Sequence, residues 1–154
     1  MAETMEEFLA RRHVAALGTH NRNGSVQQSA VWYLHEGDSI YIATTAGTVK
    51  TRNVRERATA SVLIDSREPG GAMKTASGYG PAAIIEGDRA AQINMRIFER
   101  YLSAEAIADP NCGGYMIQND DVTINVTPNR WNWLDLGEAF GGVFETPGYM
   151  LPPG

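Results

Sequence analysis

The residues of this 154-residue chain best suited to chemistry stand in one run, Thr44-Thr45-Ala46-Gly47-Thr48-Val49-Lys50-Thr51-Arg52-Asn53. Hydroxyls and a glycine leave a strand end there and enter a helix whose first turns carry Lys50 and Arg52. A helix N-terminus offers backbone N–H groups without intrahelical partners, hydroxyls add neutral donors, and a lysine with an arginine adds charge-assisted bonds. That set suits an anion, a phosphate above all. By composition alone the same residues fit a solvated basic helix face equally well. Other chemistries have less to stand on: the chain has no G-x-S-x-G, no H-E-x-x-H, no phosphate loop of the G-x-x-x-x-G-K type, no G-x-G-x-x-G opening a helix, and no C-x-x-C. His13, His20 and His35 stand at strand ends or turns without carboxylate or cysteine partners at ligand spacing, so no metal site is expected. Cys112, the single cysteine, sits in the turn-like Asp109-Pro110-Asn111-Cys112-Gly113-Gly114 and reads as an incidental thiol.

The composition bounds the scaffold that must hold these groups. With 43% apolar and 20% charged residues, the chain has the make-up of one ordinary globular domain, and 1–136 is expected to form it, with 137–154 as an irregular C-terminal arm. A net charge of -5, with Lys50 and Lys74 as the only lysines, opposes binding to a phosphate backbone, so no nucleic-acid partner is expected. No apolar run reaches the roughly 18 residues a membrane-spanning helix needs, and no membrane partner is expected. The acidic start, Met1-Ala2-Glu3-Thr4-Met5-Glu6-Glu7, lacks the basic-then-apolar pattern of a secretory leader, and with one cysteine it suggests the cytoplasm.

Local periods then place the elements. Thr4 with Glu7 fits a capping box for a short helix carrying Phe8 and Leu9 and ending near Arg11-Arg12. His13–His20 reads as a strand, Asn21-Arg22-Asn23-Gly24 as a hairpin turn, Ser25–Leu34 as the return strand, and Ser39–Thr44 as a third strand of a meander. Thr48 caps a solvent-facing helix to Arg57, Ala60–Ile64 is a buried strand, and Ser66–Gly80 is expected to be a long irregular loop. Pro81–Glu86 is a further strand, and Asp88 caps a helix to Leu102 with Ile93, Ile97, Phe98 and Tyr101 on one stripe. Val122–Thr127 and Trp131–Leu136 close the series as strands. Six or seven short strands joined mostly by hairpins predict a mainly β protein, an antiparallel barrel with a few helices.

The order of these segments resembles a known family. Ser29-Ala30-Val31-Trp32-Tyr33, then Ile42-Ala43-Thr44-Thr45, then K-x-R-N-x-R at Lys50–Arg55 followed by the apolar Ala60–Asp65 strand, and Ile85-Glu86-Gly87 beyond, look like the pyridoxamine 5'-phosphate oxidase-like split-barrel flavoproteins. Within them the chain is most similar to the flavin/deazaflavin oxidoreductases, which use FMN or F420. The resemblance, over roughly residues 5–136, implies an FMN-binding type of split barrel. It implies that Lys50, Arg52, Thr44 and Thr45, within the segment that also holds Thr51 and Asn53, bind the cofactor phosphate, and that the ring lies along Gln28, Ser29, Ala30 and Val31. It implies a homodimer with the cofactor site at the interface, where Trp131 or Trp133 and the C-terminal arm of the partner could close it; Tyr79 and Trp131 are the candidates for the substrate pocket. The implied activity is hydride transfer to or from a small conjugated molecule stacked on the cofactor, with a non-catalytic FMN- or F420-binding protein as the alternative. Arg55, Arg57 and Lys74 could line the cationic groove that an F420 tail needs. Pyridoxamine phosphate oxidation itself is disfavoured, because the residues those enzymes use for a second phosphate have no match here.

Overall fold

The computed structural model describes residues 2–67, 73–143, 146–149 and 151. Its first helix, α1 (Met5–Leu9), has the reciprocal cap the sequence predicts: the Thr4 hydroxyl accepts from the Glu7 amide, and the Glu7 carboxylate accepts from the Thr4 amide at 2.8 Å. Then follow β1 (Ala15–His20), β2 (Val26–Val31), β3 (Leu34–Glu36), β4 (Ser39–Thr45), α2 (Val49–Arg57), β5 (Thr59–Arg67) and β6 (Met73–Ile85). The rest comprises α3 (Gly87–Tyr101), α4 (Ala104–Ala108), α5 (Gly113–Met116), β7 (Asp121–Val126), β8 (Arg130–Asp135) and α6 (Leu136–Ala139). Among the described residues no helix is long and apolar enough to cross a membrane.

The strands pair in the order β2-β1-β5-β6-β7-β4-β3, all antiparallel, with β8 attached to β6. The two ends of that order, β2 and β3, are consecutive in the chain and separated only by Trp32 and Tyr33. Three residue steps span at most about 10 Å, so the sheet must roll until the end of β2 and the start of β3 come close. Among the described residues no hydrogen-bond ladder joins the two edges, which leaves an open barrel split along one seam. Leu17, Val31, Ile40, Ile42, Val62, Ile64, Ile124 and Val126 fill the interior, and Phe8 and Leu9 of α1 pack into it. Outside, α3 is fixed to β7 by Asn94, which donates to the Val122 carbonyl and accepts from the Thr123 hydroxyl at 2.6 Å.

Several expectations change. The meander does not form: β2 pairs with β1 only, and β4 pairs with the separate strand β3. The return strand breaks at Tyr33, whose ring is fully buried and whose hydroxyl donates to the Leu9 carbonyl at 3.0 Å. The expected loop at Ser66–Gly80 is largely strand: β5 runs to Arg67 and β6 starts at Met73, the remainder of that loop lying outside the described residues. The Gly-Gly at 70 and 71 that predicts the loop lies outside the described residues, while Gly78 and Gly80 serve close approach rather than a turn. On one side β6 pairs with β5 from Met73 to Pro81; it also pairs with β8 along Lys74–Tyr79 and with β7 from Ala82. The connection Thr127-Pro128-Asn129 presses into β6 where the partner changes. A Cβ on Gly78 would sit 2.6 Å from a Pro128 carbon, and one on Gly80 2.8 Å from the Asn129 amide. Glu86, not Asp88, occupies the N-cap position of α3 and makes no side-chain cap bond there, the one-turn helices α4 and α5 were too short to leave a periodic signal, and the arm opens with α6.

Gly80→Ala should therefore destabilise the barrel by about 1–3 kcal/mol, the usual range for overpacking, whereas Gly47→Ala, with open space around its Cβ, should fall within about 0.5 kcal/mol of wild type. Urea denaturation of both variants checks the contrast.

Candidate functional site

The junction between β4 and α2 is held by four threonines. Thr48 is the N-cap of α2, and its hydroxyl lies 3.2 Å from the Thr44 hydroxyl and 2.9 Å from the Thr51 hydroxyl. Thr51 donates to the Thr45 carbonyl at 2.8 Å, so one buried side chain closes the turn onto the strand end. One turn on, the buried Asn53 donates to the Thr19 hydroxyl at 3.1 Å and to the Asn21 side-chain oxygen at 2.9 Å, tying α2 to β1 and its hairpin. These bonds leave α2 one orientation, with its N-terminus at the mouth of a cleft.

That cleft encloses about 380 Å³. Ala30, Val31 and Trp32 at the end of β2 form one wall, Ala43 and Thr44 of β4 the opposite one, and Lys50 stands over the side where α2 begins. Val14, Ile97, Phe98 and Met116 complete an apolar lining. A hollow of about 280 Å³ adjoins it along Gln28, Ser29 and Ala30, and one of about 220 Å³ adjoins it along Thr44, Thr45 and Asp121. Burial pushes the Asp121 carboxyl above its ordinary pKa, and that carboxylate accepts from the Gln118 amide at 2.9 Å. Because β2 ends the strand order, its outer backbone edge has no strand partner among the described residues.

Lys50 is out of balance with its surroundings. It occupies the second position of a helix whose first turn holds no acid, where the helix dipole disfavours a cation. Burial pushes its pKa below the ordinary lysine value of 10.5, and it has no carboxylate partner among the described residues. The neighbouring cations differ: Arg22 pairs with Glu56 at 2.9 Å, Arg57 with Glu56 at 3.1 Å, Arg55 with Glu86, and Lys74 with Glu3 at 2.8 Å and Asp135 at 3.3 Å. An anion at the α2 N-terminus would satisfy the dipole and the lysine together.

Of the residues expected from sequence, the structure brings together Gln28, Ser29, Ala30, Val31, Thr44, Thr45 and Lys50 around the cleft and its adjoining hollows. Thr51 and Asn53 lie behind it with their side chains bonded internally, and Arg52 is exposed and lines none of the three spaces. Tyr79 projects from β6 at 50% exposure, while Trp131 on β8 packs against the barrel core; neither borders the cleft. Sequence reading passed over Trp32, Phe98 and Met116. Trp32 stood inside a quoted segment, Phe98 was read as part of a core-facing stripe, and Met116 lies in a helix too short to show a period.

Residues 1–134 match the family described as pyridoxamine 5'-phosphate oxidase. The chain belongs to this family. The open eight-stranded antiparallel barrel is consistent with the family's split barrel, and solved structures repeat it. A conserved hypothetical protein of Mycobacterium tuberculosis superposes with a TM-score of 0.72 at 20% identity, over 100% of this chain and 94% of that one. An F420 reductase gives 0.66 at 20% identity, over 86% and 98%. The heme storage protein HutZ of Vibrio cholerae gives 0.65 at 16% identity, over 85% and 91%. At these identities the likeness is one of fold. No curated protein matches the chain.

A misplaced cation should leave a thermodynamic trace. With the folded-state pKa of Lys50 below its unfolded value, the unfolded chain binds more protons between the two, so this group's contribution to stability rises with pH through that window; below it the burial penalty is fully present. Lys50→Met should raise the melting temperature of the ligand-free protein at pH 7, with the gain shrinking as pH rises through the lysine range. Scanning calorimetry across pH measures this, and a lower melting temperature for the variant would contradict it.

Proposed function

We propose that this member of the pyridoxamine 5'-phosphate oxidase family is a flavin- or deazaflavin-dependent oxidoreductase, with FMN or F420 in the cleft between β2, β4 and α2. The observation that carries the reading is the half-buried ammonium of Lys50, unpaired among the described residues, set at a helix N-terminus and opening onto an apolar cleft beside the outer edge of β2. Lys50 and the first-turn amides of α2 hold the phosphate, with the Thr44 hydroxyl at the same corner. The backbone edge of β2 along Gln28–Val31 faces the polar rim of the ring, and Val14, Phe98 and Met116 keep water from its apolar part. When bound, the cofactor supplies the hydride chemistry, exchanged with a small conjugated substrate. The protein's task is position and exclusion of water, which explains a site without a paired acid and base.

Two copies pair in this reading. The outer sheet face exposes Val14, Leu63, Tyr79 and Leu134, each between 43% and 52% exposed, an apolar surface that a second copy would cover. Tyr79 lies on that face and would come near the partner's site, whereas Trp131 points to the core of its own barrel. The three cations suggested for an F420 tail, Arg55, Arg57 and Lys74, are all engaged by carboxylates, so a tail would have Arg52 as its nearest unengaged cation on α2.

Parallel titrations with FMN and F420, read by ring fluorescence, test the proposal. Wild type should bind one of them saturably. Lys50→Ala should weaken that binding by about 1.5–3 kcal/mol, the range for hydrogen bonds to charged groups, with unchanged circular dichroism. Binding of neither cofactor, or equal affinity in the variant, would refute it.

A further inference from the structure

One side chain on the cleft wall has no part in phosphate binding. Trp32 lies where the chain crosses the open seam, between Val31, which enters the core, and Tyr33, which is fully buried. Its indole is half-buried and borders the cleft beside Ala30 and Val31. Away from the cleft it stacks on the Tyr101 ring, with centroids 5.0 Å apart and planes 2° from parallel.

Tyr101 is itself immobilised. It is the last residue of α3, and its hydroxyl donates to the His13 carbonyl at 2.6 Å. The Arg100 guanidinium lies 5.7 Å from its ring centroid and 5.4 Å from that of Tyr33, while donating to the Leu9 and Arg11 carbonyls. α1, the segment leading into β1 and the end of α3 thus fix the ring on which the indole rests. The Tyr101 ring clamps the indole from outside the cleft while part of it stays on the cleft wall.

We propose that Trp32, held by Tyr101, is the stacking platform for the planar heteroaromatic ring of the ligand whose phosphate Lys50 binds. The inference rests on the proposed function and divides its site into two recognition elements: a cation for the phosphate and a pre-oriented indole for the ring. Offset or edge contacts between aromatic systems add to the area they bury, and a platform already ordered loses little freedom when the ligand arrives. Tyr101 is a positioning residue, acting through Trp32.

Calorimetric titration with three probes separates the elements: whichever of FMN and F420 binds, the phosphate-free riboside of the same ring, and inorganic phosphate. Trp32→Ala should weaken the cofactor and its riboside by about three- to tenfold and leave phosphate unaffected. Lys50→Ala should weaken the cofactor and phosphate while leaving the riboside unchanged. Trp32→Phe should keep most of the riboside affinity but remove the ligand-induced loss of tryptophan emission. Tyr101→Leu should weaken the riboside while Tyr101→Phe, which keeps the stacked ring, should not, with melting temperatures measured alongside. Unchanged riboside affinity in folded Trp32→Ala would overturn the platform and leave the phosphate site standing. Failure of all three probes on wild type would overturn the proposed function and this inference with it.

Discussion

Everything at the cleft depends on the direction in which α2 leaves β4. The Thr48 hydroxyl serves as N-cap while touching the hydroxyls of Thr44 and Thr51, and Thr51 in turn closes on the Thr45 carbonyl. Each such bond is worth about 1 kcal/mol net, and breaking those of Thr51 would leave a buried hydroxyl unsatisfied, so the junction resists local rearrangement. Asn53 fixes the helix from its other side. The result is a helix N-terminus held rigidly at the cleft mouth, with a lysine that neither the helix dipole nor its surroundings favour.

The second constraint is the seam. Because β2 and β3 are consecutive strands at opposite ends of the sheet order, the barrel stays open along the seam between them. A closed barrel would have no free edge, and its interior here is filled by side chains. Splitting it exposes the backbone edge of β2 next to the cleft, where Ala30 and Val31 keep the wall low and Trp32 adds an aromatic surface. The same departure from regular pairing that makes a sheet edge a liability gives this fold a place for a planar, polar-rimmed ligand.

Much of the local structure was legible because its causes are local. The Thr4 and Thr48 caps, the Asn21–Gly24 turn and the unbroken alternation from Val122 act over a few residues, and each is found as expected. What failed was non-local. Gly78 and Gly80 look like loop residues until Pro128, fifty residues away in the chain, is seen against them. Within the candidate site the same limit applies. Lys50, Thr51 and Asn53 are alike in polarity and adjacent in sequence, but helical geometry sends Lys50 to the cleft and turns the other two inward. Trp32 carries no periodic signal because it lies between strands, and its place on the cleft wall follows from α3 returning Tyr101 to meet it.

The central claim is that a phosphate-bearing planar ligand sits with its phosphate on α2 and its ring along the end of β2. Backbone amide NMR during titration with FMN and with F420 locates the ligand directly. The account predicts that the largest shifts fall on Val49 and Lys50 and on Ala30–Trp32, from elements that meet only at the cleft. Shifts concentrated on β8 and around His35, with Val49 and Lys50 unmoved, would contradict it.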